Sequence, residues 1–285
     1  MAHRLTLHLL VTSNHKTLRA ILIRVEWLLI TQFGFDPRKT LRSLHGLPRY
    51  LKDLFRFRAN FNGRIELVPC LHDWHEEGGS TKSEYFWQDL LVARLIFDAR
   101  PQKHVDVGSR VDGFVSHVAS FREIEVFDIR PITTHIPGVI FKQADFMHPE
   151  GLFGNGEYCD SLSCLHALEH FGLGRYGDPI DPRGFEHGLA NMGKLLKPNG
   201  VFYLSVPIGV ERVEFNGNRV FDPRTIINLA SQSSLVLSRL TTIRGDGTDQ
   251  QIINPTLLAD LANQRYTLAL FEFVKQANEK LELLN

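Results

Sequence analysis

Apolar residues change their spacing near Ser83. From Tyr85 to Phe97 they recur at helical intervals, Pro101 interrupts, and short apolar runs of strand length take over. These runs fall at Val105 to Val107, Ile124 to Asp128, around Val139 to Phe141, and Cys159 to Ser163. A helical pattern over Phe185 to Leu196 follows. Lys197-Pro198-Asn199-Gly200 then predicts a tight turn into a fifth strand, Val201 to Pro207. Leu235 to Ile243 and Thr267 to Val274 alternate like strands, separated by a Gly/Asp loop and a short helix. Strands alternating with helices predict an α/β fold on a mostly parallel sheet, with the last two strands closing it as an antiparallel pair.

The start of the chain follows a different pattern. Leu18, Ile21, Leu22, Val25, Leu28, Leu29 and Phe33 have helical spacing, interrupted by Arg19, Arg24 and Glu26. Those charges argue against a membrane span, while Trp27 and the basic surroundings suit an amphipathic helix that caps a domain or lies on a membrane surface. Pro37 and Pro48 predict a break into short helices, with another over Leu51 to Phe57. Residues 1–75 are therefore expected to form a helical extension, and residues 76–285 the α/β domain.

Charge sharpens that division. Residues 1–64 carry twelve Lys/Arg against Glu26, Asp36 and Asp53, in a chain whose net charge is zero. An anionic partner for this extension is expected, such as peripheral contact with a membrane. Nucleic acid is disfavoured, because Phe33, Phe35, Phe55 and Phe57 read as helix packing rather than base-stacking platforms. Cys70, Cys159 and Cys164 form no CxxC pair and no disulfide framework, which predicts a reducing, cytoplasmic setting. Leu5 to Val11 is too short for a secretory signal and contains His8.

Candidate chemistry begins at His104 to Phe114. An apolar run enters a turn at Gly108, and a second run ends in Asp128, the order of a nucleotide-binding βαβ unit. A carboxylate at that strand tip can accept from both hydroxyls of a ribose. The positions two and four after Gly108 are Arg110 and Asp112, so the glycine spacing of a dinucleotide site is missing. An adenosine-type ligand is expected, not a pyrophosphate, and a nicotinamide oxidoreductase is disfavoured. Ala144-Asp145-Phe146 adds a carboxylate for an exocyclic amine and a ring to stack.

With these features in order, the chain resembles the class I S-adenosylmethionine-dependent methyltransferases. The resemblance rests on the "DG" turn, the "FD" acid, the "AD" pair, the "LEH" segment and the "LLKPNG" turn. It is similar in more detail to the DUF268 family, an uncharacterised branch of that class. The shared segments are "QDLLVA", "HVDVGSRVDGFVSHVASFR", "VFDIRP", "DSLSCLHALEHFGLGRYGDPIDP", "SVPIG" and "RVF", within residues 84 to 222. The resemblance implies a Rossmann-like methyltransferase sheet with an antiparallel last strand, and S-adenosylmethionine as cofactor. It implies that Asp106, Gly108, Ser109 and Arg110 border the methionine part, Asp128 the ribose, and Asp145 with Phe146 the adenine. Arg110 stands where methyltransferases generally carry a small residue. The branch's association with surface polysaccharide synthesis points to a sugar or glycan hydroxyl as the methyl acceptor. The alternative is a non-catalytic Rossmann-like scaffold held to a membrane or partner by its basic helices.

His166 to Asp181 is the least ordinary segment. It sets His166, Glu169, His170, Arg175, Tyr176, Asp178 and Asp181 among Gly172, Gly174 and Gly177. Glycines let a loop fold tightly over a ligand, and either histidine could act as general base for a hydroxyl. His166, Glu169 and His170 are the candidate catalytic residues, and Arg175, Tyr176 and Asp178 the candidate acceptor contacts. His166 to His170 also spells the zinc-peptidase pattern H-x-x-E-H. That pattern needs a helix through both histidines, and Gly172 and Gly174 break it, so no metal is expected. His72 and His75 beside Cys70 likewise lack a second ligand pair. Arg110 and Arg130 are expected either to hold an anion or to pair with Asp112 and Asp128. Phe86 and Trp87 are expected to bury against the first strand.

Overall fold

The computed structural model describes Leu22 and residues 25–149 and 157–277. The Leu5 to Val11 segment, and the predicted first helix before Leu22, lie outside the described residues. The chain divides into two compact units, Met1–Gly79 and Ser80–Asn285. In the first unit residues 25–33 are helical, and a longer helix spans Pro37–Arg58. Asp36 starts it by accepting from the backbone N–H groups of Arg38 and Lys39 at 2.9 and 3.0 Å, with Pro37 at the first helical position. Pro48 does not break this helix, as the sequence predicted, but lies inside it. A proline costs the helix one hydrogen bond locally, and full helical stretches on both sides carry it through. Among the described residues no helix is long and apolar enough to cross a membrane.

The second unit is built on an eight-stranded sheet. Its strands are β1 His104–Val107, β2 Ile124–Asp128, β3 Val139–Gln143, β4 Cys159–Leu165, β5 Leu196–Ile208, β8 Leu235–Arg244, β9 Gly247–Gln251 and β10 Thr267–Lys275. The short strands β6 Arg212–Glu214 and β7 Asn218–Val220 form a separate hairpin. The order is β3-β2-β1-β4-β5-β10-β8-β9. The first five strands run parallel, and β10 inserts antiparallel between β5 and β8. The expected antiparallel closing pair is therefore present. Two local expectations are corrected. β5 starts before the Lys197 to Gly200 turn, at Leu196: Leu196 pairs with Cys159 and Val201 with Ser161, so the turn loops out of the ladder within the strand. Asn199 takes a left-handed φ of 63° in it. Part of the predicted Gly/Asp loop is β9, which pairs with β8 at the sheet edge.

Helices cover both faces. Ser83 caps the helix Glu84–Ala99, whose Val92 and Ile96 pack with Phe114, Val126 and Leu270 on one face. On the other, the helices Gly184–Leu195 and Pro223–Ser231 bring Leu189, Met192 and Ile226 against Val105, Leu162 and Phe202. With both faces buried, the parallel strands read as nearly continuous apolar runs, which is why the sequence shows them.

Candidate functional site

The turn after β1 is held from beneath by a ladder of buried polar groups. Side chains alternate along a strand, so His104 and Asp106 share one face of β1, opposite Ser161 and Ser163 of β4. His104 meets Ser161 Oγ at 2.7 Å through Nδ1 and Ser163 Oγ at 3.2 Å through Nε2. Ser163 Oγ donates to Asp106 Oδ1 at 2.5 Å. Burial holds the His104 imidazole down, to a pKa of about 3, which keeps it neutral. Asp106 also accepts from Ser109 Oγ at 2.6 Å and Ser109 N–H at 3.0 Å. Ser109 Oγ in turn accepts from the backbone of Leu165 at 3.0 Å. Asp106 is fully buried, and burial pushes its carboxyl up to about 7 against the opposing hydrogen bonds from both serines. It is not among the residues that line the cleft above the turn. The expectation that Asp106 borders the cofactor is corrected: it is buried beneath the turn, and its three hydrogen bonds to Ser109 and Ser163 shape that turn instead.

Above that turn lies a cleft of about 550 Å³ at the carboxyl ends of β1, β2 and β3. Gly108 and Ser109 form its floor, with Asp128 at the tip of β2 and Asp145 with Phe146 after β3. Gly108 has φ +74°, and a Cβ there would stand 3.0 Å from that of Ala167, so the backbone is open to a ligand only as glycine. Asp145 accepts from Met147 N–H at 2.8 Å through Oδ1. Phe146 is buried edge-on to Phe127, at 5.4 Å between ring centres. Arg110 does not fill the turn. Its guanidinium leans out to Asp112, with bonds of 3.1 and 2.7 Å, and lies 5.2 Å from the Tyr85 ring. Asp128 is clamped by Arg130, which donates from its backbone at 2.8 Å, from Nε at 3.0 Å and from Nη2 at 2.6 Å. Hydrogen bonding to Asp128 holds the Arg130 guanidinium above its ordinary pKa.

The opposite wall comes from the segment after β4. Instead of an α-helix, a single 3₁₀ turn spans Leu168–His170, and His166 before it takes a left-handed φ of 55°. This turn brings His166, Glu169 and His170 together. His166 Nδ1 contacts Glu169 Oε1 directly, and His170 Nε2 lies 3.7 Å from the same oxygen. His170 Nδ1 donates to the carbonyl of Gly217 at 2.7 Å. Burial presses the His166 imidazole down, but the adjoining Glu169 carboxylate outweighs it and raises the pKa. For His170 burial prevails and the pKa falls. Glu169 is fully buried and its carboxyl is lowered: desolvation is outweighed by the two histidines. Glu169 does not line the cleft, so its expected place among the catalytic residues is corrected to that of a positioning residue behind His166 and His170.

Arg175, Tyr176 and Asp178 line the same wall. Arg175 donates to Gly217 O at 3.0 Å, and Asp178 accepts from the backbone of Gly174 and Tyr176, both at 3.1 Å. Asp178 thus shapes the loop as well as facing the cleft. The Tyr176 ring lies 4.3 Å from the Arg130 guanidinium, joining the two walls. Two residues escaped the sequence reading. Tyr85 lines the cleft and stacks on His166 at 4.8 Å, with its hydroxyl pushed up to about 12 by burial. Arg219 is buried beneath the loop and donates to the carbonyls of Phe171, Pro182 and Glu169 at 2.5, 3.3 and 3.4 Å. Tyr85 sits in the first turn of a helix whose apolar spacing hid it, and Arg219 was visible only as part of "RVF". Phe86 is exposed and Trp87 only half-buried, its indole donating to Gly245 O at 3.2 Å, which corrects their expected burial.

Strand order and cleft together define a Rossmann-like α/β fold with a cleft that opens at the carboxyl ends of the parallel strands, where ligands bind in such sheets. Residues 146–236 match the family model described as "Caenorhabditis protein of unknown function, DUF268". That segment holds the histidine loop and "RVF", but not the turn after β1. No curated protein matches the chain significantly. Among solved structures, the N-methyltransferase NodS from Bradyrhizobium japonicum WM9, in complex with S-adenosyl-L-homocysteine, is similar with a TM-score of 0.46 and 16% identity. The similarity covers 72% of this chain and 92% of that one. The 1,6-didemethyltoxoflavin-N1-methyltransferase of Burkholderia thailandensis is similar at a TM-score of 0.45 and 14% identity, over 82% of this chain and 90% of that one.

Proposed function

We propose that the protein binds S-adenosylmethionine in this cleft and methylates an oxygen acceptor, with a sugar or glycan hydroxyl as the leading class. The observation that carries the reading is the convergence of three strand ends on one cleft, with Gly108 and Ser109, Asp128, and Asp145 with Phe146 in order along it. Those residues fit a nucleoside: an open glycine turn, an acid at ribose position, and an acid beside a ring for the base. The cleft volume is also that of a site for a ligand of this size. The bound cofactor would supply an electrophilic methyl group. The chain's own part is positioning, which can provide much of the acceleration of an in-line displacement. His166, His170, Arg175, Tyr176 and Asp178 form the acceptor wall. Because His170 donates its Nδ1 proton to Gly217, its Nε2 keeps the lone pair that can take up a proton.

Titration calorimetry with S-adenosylmethionine and S-adenosylhomocysteine tests the reading. The wild-type protein should bind both, and Asp128→Ala should weaken binding about tenfold, the worth of one charge-assisted hydrogen bond. Binding of neither by the folded wild-type protein would overturn it.

A further inference from the structure

We infer that His166, Glu169 and His170 form a site for one borderline divalent transition ion, such as Zn²⁺ or Co²⁺, at the acceptor end of the cleft. The expectation of no metal assumed that both histidines needed an α-helix. The 3₁₀ turn assembles them without one, and one donor atom from each residue falls within 4.8 Å of the others.

Three further features point to a ligand. Glu169 is fully buried, yet its Oε2 has no hydrogen-bond partner. A buried carboxylate oxygen with nothing to accept from is costly, and a cation removes the cost. His170 donates Nδ1–H to the Gly217 carbonyl, as a metal-bound histidine does when its ring is held for ligation, and so directs a lone pair from Nε2 toward Glu169. Finally, the 3.7 Å between His170 Nε2 and Glu169 Oε1 is close to the roughly 3.4 Å between two donors about 2.1 Å from a common tetrahedral ion. His166 and Glu169 sit closer than that and would part, with Oε2 available to turn in.

Two imidazoles and one carboxylate favour a transition ion over Mg²⁺ or Ca²⁺, which take mostly oxygen ligands. Three protein donors leave coordination open, and His166 and His170 line the cleft from which a further ligand would come. An acceptor hydroxyl bound there would be acidified by the ion and would lose its proton to water in the cleft, so that His170 would serve as a ligand and not as the base. That use of the ion rests on the methyl-transfer reading; the site itself does not.

The test uses the full chain, stripped with a chelator and then titrated with Co²⁺, following its visible absorption, and with Zn²⁺ by calorimetry. One ion per chain should bind at this site, with low-symmetry Co²⁺ bands. Glu169→Gln and His170→Ala, each checked for native circular dichroism, should weaken binding at least tenfold. His72→Ala should leave it unchanged, since that histidine belongs to a separate, more exposed group with Asp73 and Glu76. A folded wild-type protein that binds no ion overturns the site. So does binding lost with His72, or retained in both cleft variants. Titrating the same samples with S-adenosylhomocysteine separates the two proposals: nucleoside binding without the ion removes only the metal, and the ion without nucleoside binding removes only the cofactor reading.

Discussion

Replacing Asp106 by Asn removes a buried ionisable group while keeping its shape. The Asn oxygen can take the Ser109 N–H, and its amide can donate to Ser109 Oγ and Ser163 Oγ, both of which retain acceptor capacity. What changes is the linkage to pH. The folded protein holds the Asp106 proton up to about pH 7, whereas the unfolded chain releases it near pH 3.9. The folded pKa is raised, so the unfolded state loses its proton first and stability falls as pH rises from about 4 to 7. The full shift corresponds to about 4 kcal/mol, of which roughly 2.5 kcal/mol falls between pH 5 and pH 8. Urea unfolding of wild type and Asp106→Asn at several pH values reads the difference directly, because other titrating groups cancel. The variant should gain on the wild type by that amount between pH 5 and 8 and then level off. Parallel curves would refute the reasoning and show that Asp106 is ionised in the folded protein throughout.

Gly172 has φ +75°, and a Cβ there would lie 1.9 Å from the Asp181 carbonyl oxygen; Gly172→Ala should cost more than about 1 kcal/mol in thermal unfolding, and a loss below half that would sink the steric argument. Arg219→Met leaves three carbonyls without their donor and should destabilise by about 1–3 kcal/mol. It should also speed proteolysis within residues 172–181, and an unchanged cleavage rate would count against it. Glu125 receives bonds from Lys103 and Tyr158 at 2.8 and 2.6 Å and is lowered in pKa by them and Lys142, despite burial. Its contribution is present above the unfolded pKa of about 4.3 and fades as pH falls through the lower folded value. Glu125→Gln should therefore cost about 1 kcal/mol at pH 7 and less near pH 3, measured by denaturant titration.

The parallel strands were legible because strands buried on both faces announce themselves as apolar runs. The N-terminal helix was not, since its proline rule treats a local loss of one hydrogen bond as a boundary. At the site, Gly108, Asp128, Asp145 and Phe146 could be read from their order after successive strands. Asp106 was misplaced because strand position says that a side chain points to one face, but not that two serines on the neighbouring strand wait for it there. Tyr85 and Arg219 reach the cleft and its loop from distant parts of the chain, a proximity that spacing along one segment cannot encode. In the H-x-x-E-H segment the three side chains meet across a 3₁₀ turn, which helical periodicity does not describe.

The clamp on Asp128 has a consequence for how affinity in this cleft should be understood. With Arg130 donating three bonds to that carboxylate, about one of its four lone-pair positions stays open, whereas a ribose diol offers two hydroxyls. The arrival of a nucleoside would therefore be an exchange of donors and not the filling of a vacant acceptor. Its net strength would be a difference between two similar sets of hydrogen bonds. Because the same guanidinium already lies 4.3 Å from the Tyr176 ring on the other wall, a ligand that loosens its hold on Asp128 would be felt there through a single side chain.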